Sequence, residues 1–424
     1  MNVGRAVLIT YYWPPASGPG VHRWLRFSRH WPHERWPLTV FVPERAAYIE
    51  TDPTLCKLVP DAVKVHKVPI VEPAQFISNK PGVAFAGEKG TGFRHAVMAW
   101  IRGNFFIPDA RVFWVKPLVR HVHRELKGSS PLMLITTGPP HSVHLAGLQV
   151  KRRLPEIFWI ADFRDPWMEV DYLHHLRLTS WARWIHARLE RSVLQGADVV
   201  TTVSPGLQRL LKAKTTCPVV VVPNGFDPTL LPPAQPKSNP SEFSILHTGT
   251  LPAERNVPEL WEALQRLQFP FTVHLVGQVD TSIRQSIQAY GLQGKVHVLP
   301  PVPHAEALQR QRQAALLLVV ANRTDTSQGI LTGKVFEYLA SGRPIIAFGP
   351  MEGDLCHLIQ ELKAGWYIPF GRPDIARQVL EEAYHSFCEG RLLSRPPHLG
   401  PYDSRKLALE FEKLFYQKNK HNYQ

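Results

Sequence analysis

The feature that most constrains the fold of this chain is a regular alternation of short apolar runs with longer amphipathic stretches. Short apolar runs bounded by turn residues indicate buried strands, and amphipathic stretches of helical period indicate helices. Their alternation predicts parallel sheets covered by helices on both faces. The predicted strands span residues 6–10, 38–42, 63–68, 132–136, 157–160, 198–203, 219–222, 243–247, 273–276, 296–299, 316–320, 344–348 and 366–368.

The 424 residues are too many for one ordinary domain and suit two. A polar, proline-rich stretch separates the two groups of strands and is typical of a linker. We therefore predict an α/β protein with two doubly wound, Rossmann-like domains, 1–228 and 240–400, facing a central cleft. Residues 401–424 form a terminal helix, which we expect to pack back toward the first domain. Ligands of such sheets bind at the carboxyl ends of the strands.

Composition and charge restrict the classes of partner. The net charge of +14 favours anionic partners, which leaves nucleic acid, an anionic membrane surface and phosphate-bearing substrates as alternatives. Motifs typical of nucleic-acid binding are missing, so none is expected as a partner. The four cysteines are widely spaced and indicate reduced thiols rather than a zinc site or a disulfide framework. No apolar run is long enough to cross a bilayer, and we expect a cytoplasmic protein.

Three motifs in the first half follow predicted strands. A glycine-bearing loop with Gly18 and Gly20 follows the first strand, where backbone amides can approach an anion or serve only as a tight turn. The second motif, TTGPPHSVH, places His141 and His144 at the start of a helix. There, histidines either meet ligand hydroxyls or are structural.

The third motif, ADFRDPW, places Asp162 and Asp165 on either side of Arg164. Such a set can bind sugar hydroxyls, supply a base or form a structural ion-pair network. We assign Asp162, Asp165 and His144 as candidate catalytic residues, with the two aspartates as candidates to orient an acceptor hydroxyl. Arg164 and His141 are further candidate cleft residues, as is Asn224 in the motif VPNGFD.

The second half carries the densest cluster of chemical signals. Gly249 and Thr250 follow a strand, and Arg255 precedes a helix start, where a cation suits a diphosphate. In GKVFEYLASGRPI, Lys334 and Glu337 lie three residues apart on one helical face. A lysine can bind phosphate and a carboxylate can accept two ribose hydroxyls, although a simple surface ion pair is the alternative.

Taken in order, the motifs YYWPPASGPGVHRW, TTGPPHSVHLAG, ADFRDPW, ADVVTTVS, VPNGFD and GKVFEYLASGRPI resemble the family-four, or group 1, glycosyltransferases of the GT-B fold. The resemblance covers nearly the whole chain and is nearest to bacterial enzymes that build lipopolysaccharide or exopolysaccharide. It implies a nucleotide-diphosphate sugar as substrate, a glycan or lipid-linked acceptor, no tightly bound metal or cofactor, and retention of anomeric configuration.

The resemblance also implies roles for individual residues. Glu337 matches the glutamate that holds the ribose, Arg255 stands where the family has a lysine on the diphosphate, and Gly18 to Gly20 match the glycine loop near the donor phosphates. Two positions depart from the family pattern. Gly329 replaces a common glutamate and Thr250 replaces a common arginine. We hypothesise that Lys334 supplies part of the missing positive charge.

Two rival functions remain open at this point. A nucleotide-sugar epimerase of the same fold would act on the donor alone, and a non-catalytic binding or scaffold subunit would not turn over a donor. A peripheral site on an anionic membrane is suggested by the segment 93–106, which mixes aromatic residues with arginines. The same segment also suits an ordinary helix that covers a domain.

Overall fold

The computed structural model describes residues 4–48, 50–72, 93–128, 131–170, 173, 176–232, 240–324, 327–329, 331–392 and 398–421. The chain divides into two compact units. The amino-terminal unit comprises residues 1–223 and 404–424, and the carboxyl-terminal unit comprises residues 224–403. The division falls directly after Pro223. No helix within the described ranges is both long enough and apolar enough to span a bilayer.

The amino-terminal unit is built on a parallel sheet of seven strands in the order β3-β2-β1-β4-β5-β6-β7. These are β1 Arg5–Thr10, β2 Leu38–Pro43, β3 Lys64–Val68, β4 Leu132–Gly138, β5 Phe158–Phe163, β6 Val199–Thr202 and β7 Val219–Val221. Its helices are α1 Pro19–Arg29, α2 Phe93–Phe105, α3 Val115–Leu126, α4 Ser142–Arg153, α5 Ser180–Gly196, α6 Pro205–Lys212 and α13 Ser404–His421.

The carboxyl-terminal unit is built on a parallel sheet of six strands in the order β10-β9-β8-β11-β12-β13. These are β8 Ser244–Thr248, β9 Thr272–Val276, β10 Val296–Leu299, β11 Leu316–Val320, β12 Ile345–Gly349 and β13 Gly365–Pro369. Its helices are α7 Pro258–Gln265, α8 Thr281–Ala289, α9 His304–Gln313, α10 Lys334–Ser341, α11 Asp354–Glu361 and α12 Pro373–Cys388. The prediction of two doubly wound sheets is confirmed, and each predicted strand overlaps an observed one.

Strand order determines where a site can form in each unit. In both sheets the strand order reverses beside the first strand of the unit, so β1 lies between β2 and β4, and β8 lies between β9 and β11. Loops that leave the strands on either side of such a point diverge to opposite faces and leave a crevice. The segments that flank the two crevices follow β1 and β4 in one unit, and β8 and β11 in the other.

Two hydrophobic layers hold each sheet, because a parallel sheet is covered on both faces. In the amino-terminal unit, one layer centres on α3 and α4 and the other on α1 and α13. The last helix thus completes the core of the first unit. Phe411 of α13 is fully buried, and its ring centroid lies 4.8 Å from that of Trp24 and 5.5 Å from that of Phe27.

Candidate functional site

Asp162 is the centre of a fully buried polar network in the amino-terminal unit. The Arg23 guanidinium donates to both carboxylate oxygens, Nε at 3.0 Å and the terminal nitrogen at 2.8 Å. The Trp24 indole N–H donates at 2.8 Å, and the hydroxyls of Thr137 and Thr201 donate at 2.9 and 2.8 Å. Burial alone would raise the pKa of Asp162, but the charge and hydrogen bonds of Arg23 outweigh it and hold that pKa below its ordinary value.

This network corrects the assignment of Asp162 as a candidate catalytic residue. Its carboxylate has no exposed surface, and its oxygens are occupied by donors from α1, β4 and β6. A ligand hydroxyl could reach it only by displacing a buried partner. The geometry supports the structural alternative, in which Asp162 fastens α1 to the sheet.

His144 is likewise buried away from any ligand. Its Nδ1 shares a hydrogen bond of 2.8 Å with the Thr136 hydroxyl, and its ring stacks on Phe163 at 4.4 Å between centroids. Burial lowers the pKa of His144 to about 3, so the ring is neutral and poorly suited to take up a proton. The assignment of His144 as a candidate catalytic residue is therefore corrected.

His141 is also buried, and its ring stacks on the Trp167 indole with 4.7 Å between centroids. Burial, reinforced by the neighbouring His144, lowers its pKa well below the ordinary value. Both histidines thus contribute packing beneath the β4–α4 loop rather than a charged group at its surface.

The glycine loop and Arg164 are brought together at the carboxyl edge of this sheet. Arg164 donates from Nε to the Gly138 carbonyl at 3.1 Å and from a terminal nitrogen to the Pro139 carbonyl at 2.6 Å. A Cβ on Gly20 would lie 2.7 Å from the Tyr12 ring and 3.0 Å from the other terminal nitrogen of Arg164. Only a glycine allows this approach of α1 to the guanidinium. Gly18 caps α1 with φ of 93°, a left-handed conformation that favours glycine, and faces open space.

Asp165 remains at the edge of this group. It is half-buried and lies two residues after the end of β5, so it is the carboxylate of its motif that retains access to solvent. Its charge favours the protonated form of Arg164, whose pKa burial lowers.

The carboxyl-terminal unit brings its predicted residues closer together. Gly249 leaves β8 with φ of 101°, and a Cβ there would lie 2.8 Å from Nζ of Lys334, the first residue of α10. Gly249 and Thr250 are exposed, whereas Lys334 is half-buried beside them. The turn after β8 and the amino end of α10 are therefore in contact, and the Lys334 side chain lies directly against the turn.

His247 holds the Lys334 ammonium in place. Its Nδ1 lies 2.9 Å from the Leu318 carbonyl, which can only accept, so Nδ1 carries the proton and Nε2 is the acceptor. The Lys334 ammonium donates to that Nε2 at 3.2 Å. Burial, followed by the charge of Lys334, lowers the pKa of His247 well below its ordinary value and keeps the ring neutral.

Arg255 adds a second cation to this region. It ends a short 3-10 turn, Ala253–Arg255, and its Nε donates to the Asn322 side-chain oxygen at 2.8 Å. Burial, followed by the charge of Arg255, lowers the pKa of Lys334 to about 7, while Glu337 acts in the opposite direction. The three charged groups that the motifs singled out therefore influence one another directly.

Glu337 is held by a partner that the motifs did not indicate. Its Oε1 lies 3.0 Å from Nε2 of His304, the first residue of α9, and the two side chains are only 12% and 16% exposed. His304 follows β10 by a few residues, and this position after a strand could have been used to predict that it lies at the site. His247 and Asn322 likewise lie at strand ends, but neither was assigned a role.

The remaining predicted residues lie around this centre. Asn224 is half-buried, with its side chain near 3.7 Å from where a Cβ of Gly333 would lie, just before α10. Gly329 ends the 3-10 turn Ser327–Gly329, and no carboxylate therefore occupies that position. Within the described ranges, no three histidine, cysteine, aspartate or glutamate side chains are grouped as they would be to hold a metal ion.

Comparisons with known proteins bear on this geometry. Residues 242–384 match the family model of the group 1 glycosyl transferases, and they include Arg255, Lys334 and Glu337. The match covers this segment alone, and its family is the one that the sequence motifs indicated. No curated protein matches the chain by sequence.

Solved structures share the fold over the full length. Sucrose-phosphate synthase from Thermosynechococcus elongatus is similar with a TM-score of 0.65 and 14% identity, over 99% of this chain and 100% of that one. HepE of Anabaena, in complex with UDP-glucose, has a TM-score of 0.64 and 12% identity, over 97% and 99%. The lipopolysaccharide outer core galactosyltransferase WaaB has a TM-score of 0.56 and 12% identity, over 98% and 99%. These likenesses show that the chain has the GT-B fold.

Proposed function

We propose, from the premise that residues 242–384 form a group 1 glycosyl transferase domain, that this glycosyltransferase moves a hexose from a nucleoside-diphosphate sugar to a glycan or lipid-linked acceptor. The observation that carries the proposal is the grouping of the Gly249 turn, Lys334, Arg255 and Glu337 at the carboxyl edge of one sheet. Because a structural neighbour holds UDP-glucose, UDP-hexoses are the first donors to test.

The positions of the charged side chains support different roles for them toward the diphosphate and the ribose of the donor. The leaving group is a nucleoside diphosphate, so catalysis requires groups that stabilise its developing negative charge. Lys334 and Arg255 supply two cations beside the exposed Gly249 turn, and we propose that they bind the two phosphates. Glu337, whose Oε1 lies at hydrogen-bond distance from His304, is the residue that we propose to accept the ribose hydroxyls.

This arrangement supports catalysis by side-chain cations rather than by a resident metal. We propose that transfer retains the anomeric configuration and continues in the presence of a chelator. The amino-terminal unit supplies the acceptor side, with Asp165 as the candidate to orient the acceptor hydroxyl and the Gly18–Gly20 loop beside Arg164 as a second anion-binding element. The pathway that we propose is cell-surface polysaccharide assembly in the cytoplasm.

Thermal denaturation in the presence of a panel of nucleotide sugars tests the donor site. A ligand that binds only the folded form at about one hundred times its Kd stabilises it by about 2.7 kcal/mol, a readily measured rise in Tm. We expect a rise with at least one UDP-hexose, and a much smaller one for Glu337→Gln. Glu381→Gln, on the exposed face of α12, is the matched control. The absence of a shift with every nucleotide sugar would favour a scaffold protein.

Product analysis separates transfer from epimerisation. With donor alone, a glycosyltransferase leaves most of the nucleotide sugar unchanged, whereas an epimerase converts it. NMR of the product formed with an acceptor, with and without EDTA, reports the anomeric configuration and the need for a metal. Conversion of the donor sugar without an acceptor would contradict the proposal.

A further inference from the structure

Five large aromatic side chains of the amino-terminal unit are exposed on three elements, two of which are hydrogen-bonded to each other. They belong to α2, to the short 3-10 turn Val112–Trp114, and to the amino end of α5. We call them the aromatic surface: Trp100, Phe105, Phe113, Trp181 and Trp184, which are 40%, 69%, 54%, 64% and 57% exposed. Apolar groups of this size are normally buried, so a group of them at the surface indicates a partner.

Specific contacts hold α2 against the start of α5. The Asn104 side-chain oxygen accepts from both the amide and the hydroxyl of Thr179, each at 2.8 Å, and Thr179 caps α5. A Cβ on Gly103 would lie 2.7 Å from a Leu178 methyl, so this glycine permits close packing of the two segments. The packing of α2 on the start of α5 therefore fixes the relative positions of the two helices that carry most of the aromatic surface.

Some of these rings also contact another aromatic ring. Trp100 and Phe105 meet edge-to-face with 5.7 Å between ring centroids, and Phe113 meets Phe106 at 5.9 Å. Trp181 and Trp184 are three residues apart on α5 and share an exposed face. Two large indole rings thus project from the same face of one helix.

The exposed charges of the two helices α2 and α5 have one sign. The sequence of α2 contains arginines and no acidic residue. On α5, Arg183 and Arg188 are exposed, and the Arg188 guanidinium lies 5.5 Å from the Trp184 ring centroid. The single acid of α5, Glu190, is buried and paired with Lys214 at 2.9 Å. Neither helix therefore exposes a carboxylate beside these rings.

We propose that the aromatic surface, with the arginines of α5, docks this protein on a bilayer that contains anionic lipids. Indole rings partition to the interface between headgroups and acyl chains, and guanidinium groups bind lipid phosphates. The aliphatic side chains of Val97 and Met98, which are also exposed on α2, can enter the acyl region but cannot stack on nucleic acid bases. A second copy of the chain would bring like charges together.

The proposal extends the segment that the sequence indicated. Residues 93–106 cover α2 alone, and the side chains of residues 93–95 lie outside the described part of the chain. Trp181 and Trp184 are far from that segment in sequence and join it only through the packing of α2 on α5. Membrane docking does not require the proposed function. Only its purpose depends on that function, because docking would bring the enzyme to a lipid-linked acceptor.

Vesicle sedimentation with the full-length protein tests the proposal, without any nucleotide sugar. Vesicles of phosphatidylcholine that contain phosphatidylglycerol, an anionic lipid, are compared with vesicles of pure phosphatidylcholine. We expect binding to the anionic vesicles that weakens as salt rises. Trp181→Ala/Trp184→Ala is expected to reduce that affinity by about tenfold or more, because it removes apolar area that enters the bilayer.

A second pair of variants separates charge from apolar contact. Arg183→Gln/Arg188→Gln is expected to weaken binding to the anionic vesicles and to reduce its salt dependence. Met351→Ala and Arg377→Gln, exposed positions of the carboxyl-terminal unit, are the matched controls and are expected to bind as the wild type does. Circular dichroism and Tm establish that each variant is folded.

Several outcomes would overturn the proposal. Wild-type protein that does not bind anionic vesicles, or a folded double tryptophan variant that binds them as tightly, would each reject it. Binding of a single-stranded RNA oligonucleotide that is lost in the tryptophan variant, without vesicle binding, would assign the surface to nucleic acid instead. Vesicle binding needs no donor, so its failure and the failure of glycosyl transfer are observed separately.

Discussion

At the scale of single residues, the two units use buried charge in opposite ways. Asp162 and Arg23 form a fully buried ion pair, which stabilises the fold. Lys334 is half-buried next to a neutral histidine and a second cation, which is an unfavourable place for an ammonium group without an anion. A buried cation without a carboxylate at hydrogen-bond distance is a mark of a ligand site.

Substitution of Asp162 is expected to destabilise the protein. In Asp162→Asn the Arg23 guanidinium keeps its charge in a site that is only 1% exposed, and the uncompensated charge is expected to cost about 3–5 kcal/mol of unfolding free energy. Urea denaturation measures the loss. Glu156→Gln, at an exposed position just before β5, is the control and should change stability by less than about 0.5 kcal/mol. An unchanged stability of Asp162→Asn would refute the structural role.

Donor affinity is expected to depend on the protonation of Lys334. Because its pKa in the free protein is about 7, the side chain is largely the neutral amine at pH 8. A bound diphosphate favours the charged form and raises that pKa. By linkage, the donor Kd should stay constant below pH 7 and rise above it, by at most about tenfold per pH unit. Calorimetric titrations from pH 6 to pH 9 measure this dependence, and donor binding at pH 8 should take up a proton.

Two variants check that Lys334 is the titrating group. Lys334→Arg keeps its charge throughout this pH range, so the pH dependence should disappear. Lys334→Ala should bind the donor weakly at every pH. If Lys334→Arg retained the wild-type slope, another group would be responsible for it.

At the scale of secondary structure elements, α13 is the last helix of the chain, yet it forms part of the hydrophobic core of the amino-terminal unit. Its apolar face closes the layer that α1 forms on the sheet of the amino-terminal unit. Phe411 and Phe415 contact aromatic rings of α1, of the loop before β2 and of β5. Removal of any of these rings leaves a cavity among large, rigid neighbours that cannot easily collapse.

Phe411→Ala tests this packing. The ring is fully buried, so the substitution is expected to cost about 3–5 kcal/mol of unfolding free energy. Tyr416→Ala, on the same helix but 43% exposed, should change it by less than about 1 kcal/mol. Thermal denaturation followed by circular dichroism compares the two. A similar Tm for both variants would show that α13 does not stabilise the unit.

At the scale of the whole molecule, the chain leaves the first unit at Pro223 and returns to it at Ser404. The carboxyl-terminal unit is continuous in sequence, whereas the amino-terminal unit requires both ends of the chain. Stability of the two units should therefore respond differently to loss of the last residues.

A chain that ends at Asp403 tests this difference. Without α13 the second layer of the amino-terminal sheet is exposed, so backbone amides of β4 and β5 should exchange faster with solvent. Amides of β11 and β12 should keep their protection, because their core contains no residue after 403. Hydrogen exchange measured by mass spectrometry compares the two sheets. A chain that ends at Tyr416 is the control, and equal loss of protection in both units would contradict the expectation.

Much of the fold and part of the site could be predicted from the sequence, because both depend on local patterns. Buried parallel strands are short apolar runs, and a loop after such a strand reaches the carboxyl edge of the sheet whatever its neighbours are. This reasoning predicts the Gly249 turn, Lys334 and Glu337 as donor contacts. The same reasoning assigned Asp162 and His144 as candidate catalytic residues, whereas the structure buries both completely.

The sequence by itself determined the two doubly wound sheets and the strand ends at which polar residues collect, since apolar periodicity and glycine positions act over a few residues. Only the tertiary structure decided which of those residues are accessible. Asp162 is enclosed by Arg23, Glu337 is held by His304, and Asn104 of α2 is bonded to Thr179 at the start of α5. Each of these relations links segments that are far apart in the chain. Burial and hydrogen bonding depend on such packing, and no local pattern contains it.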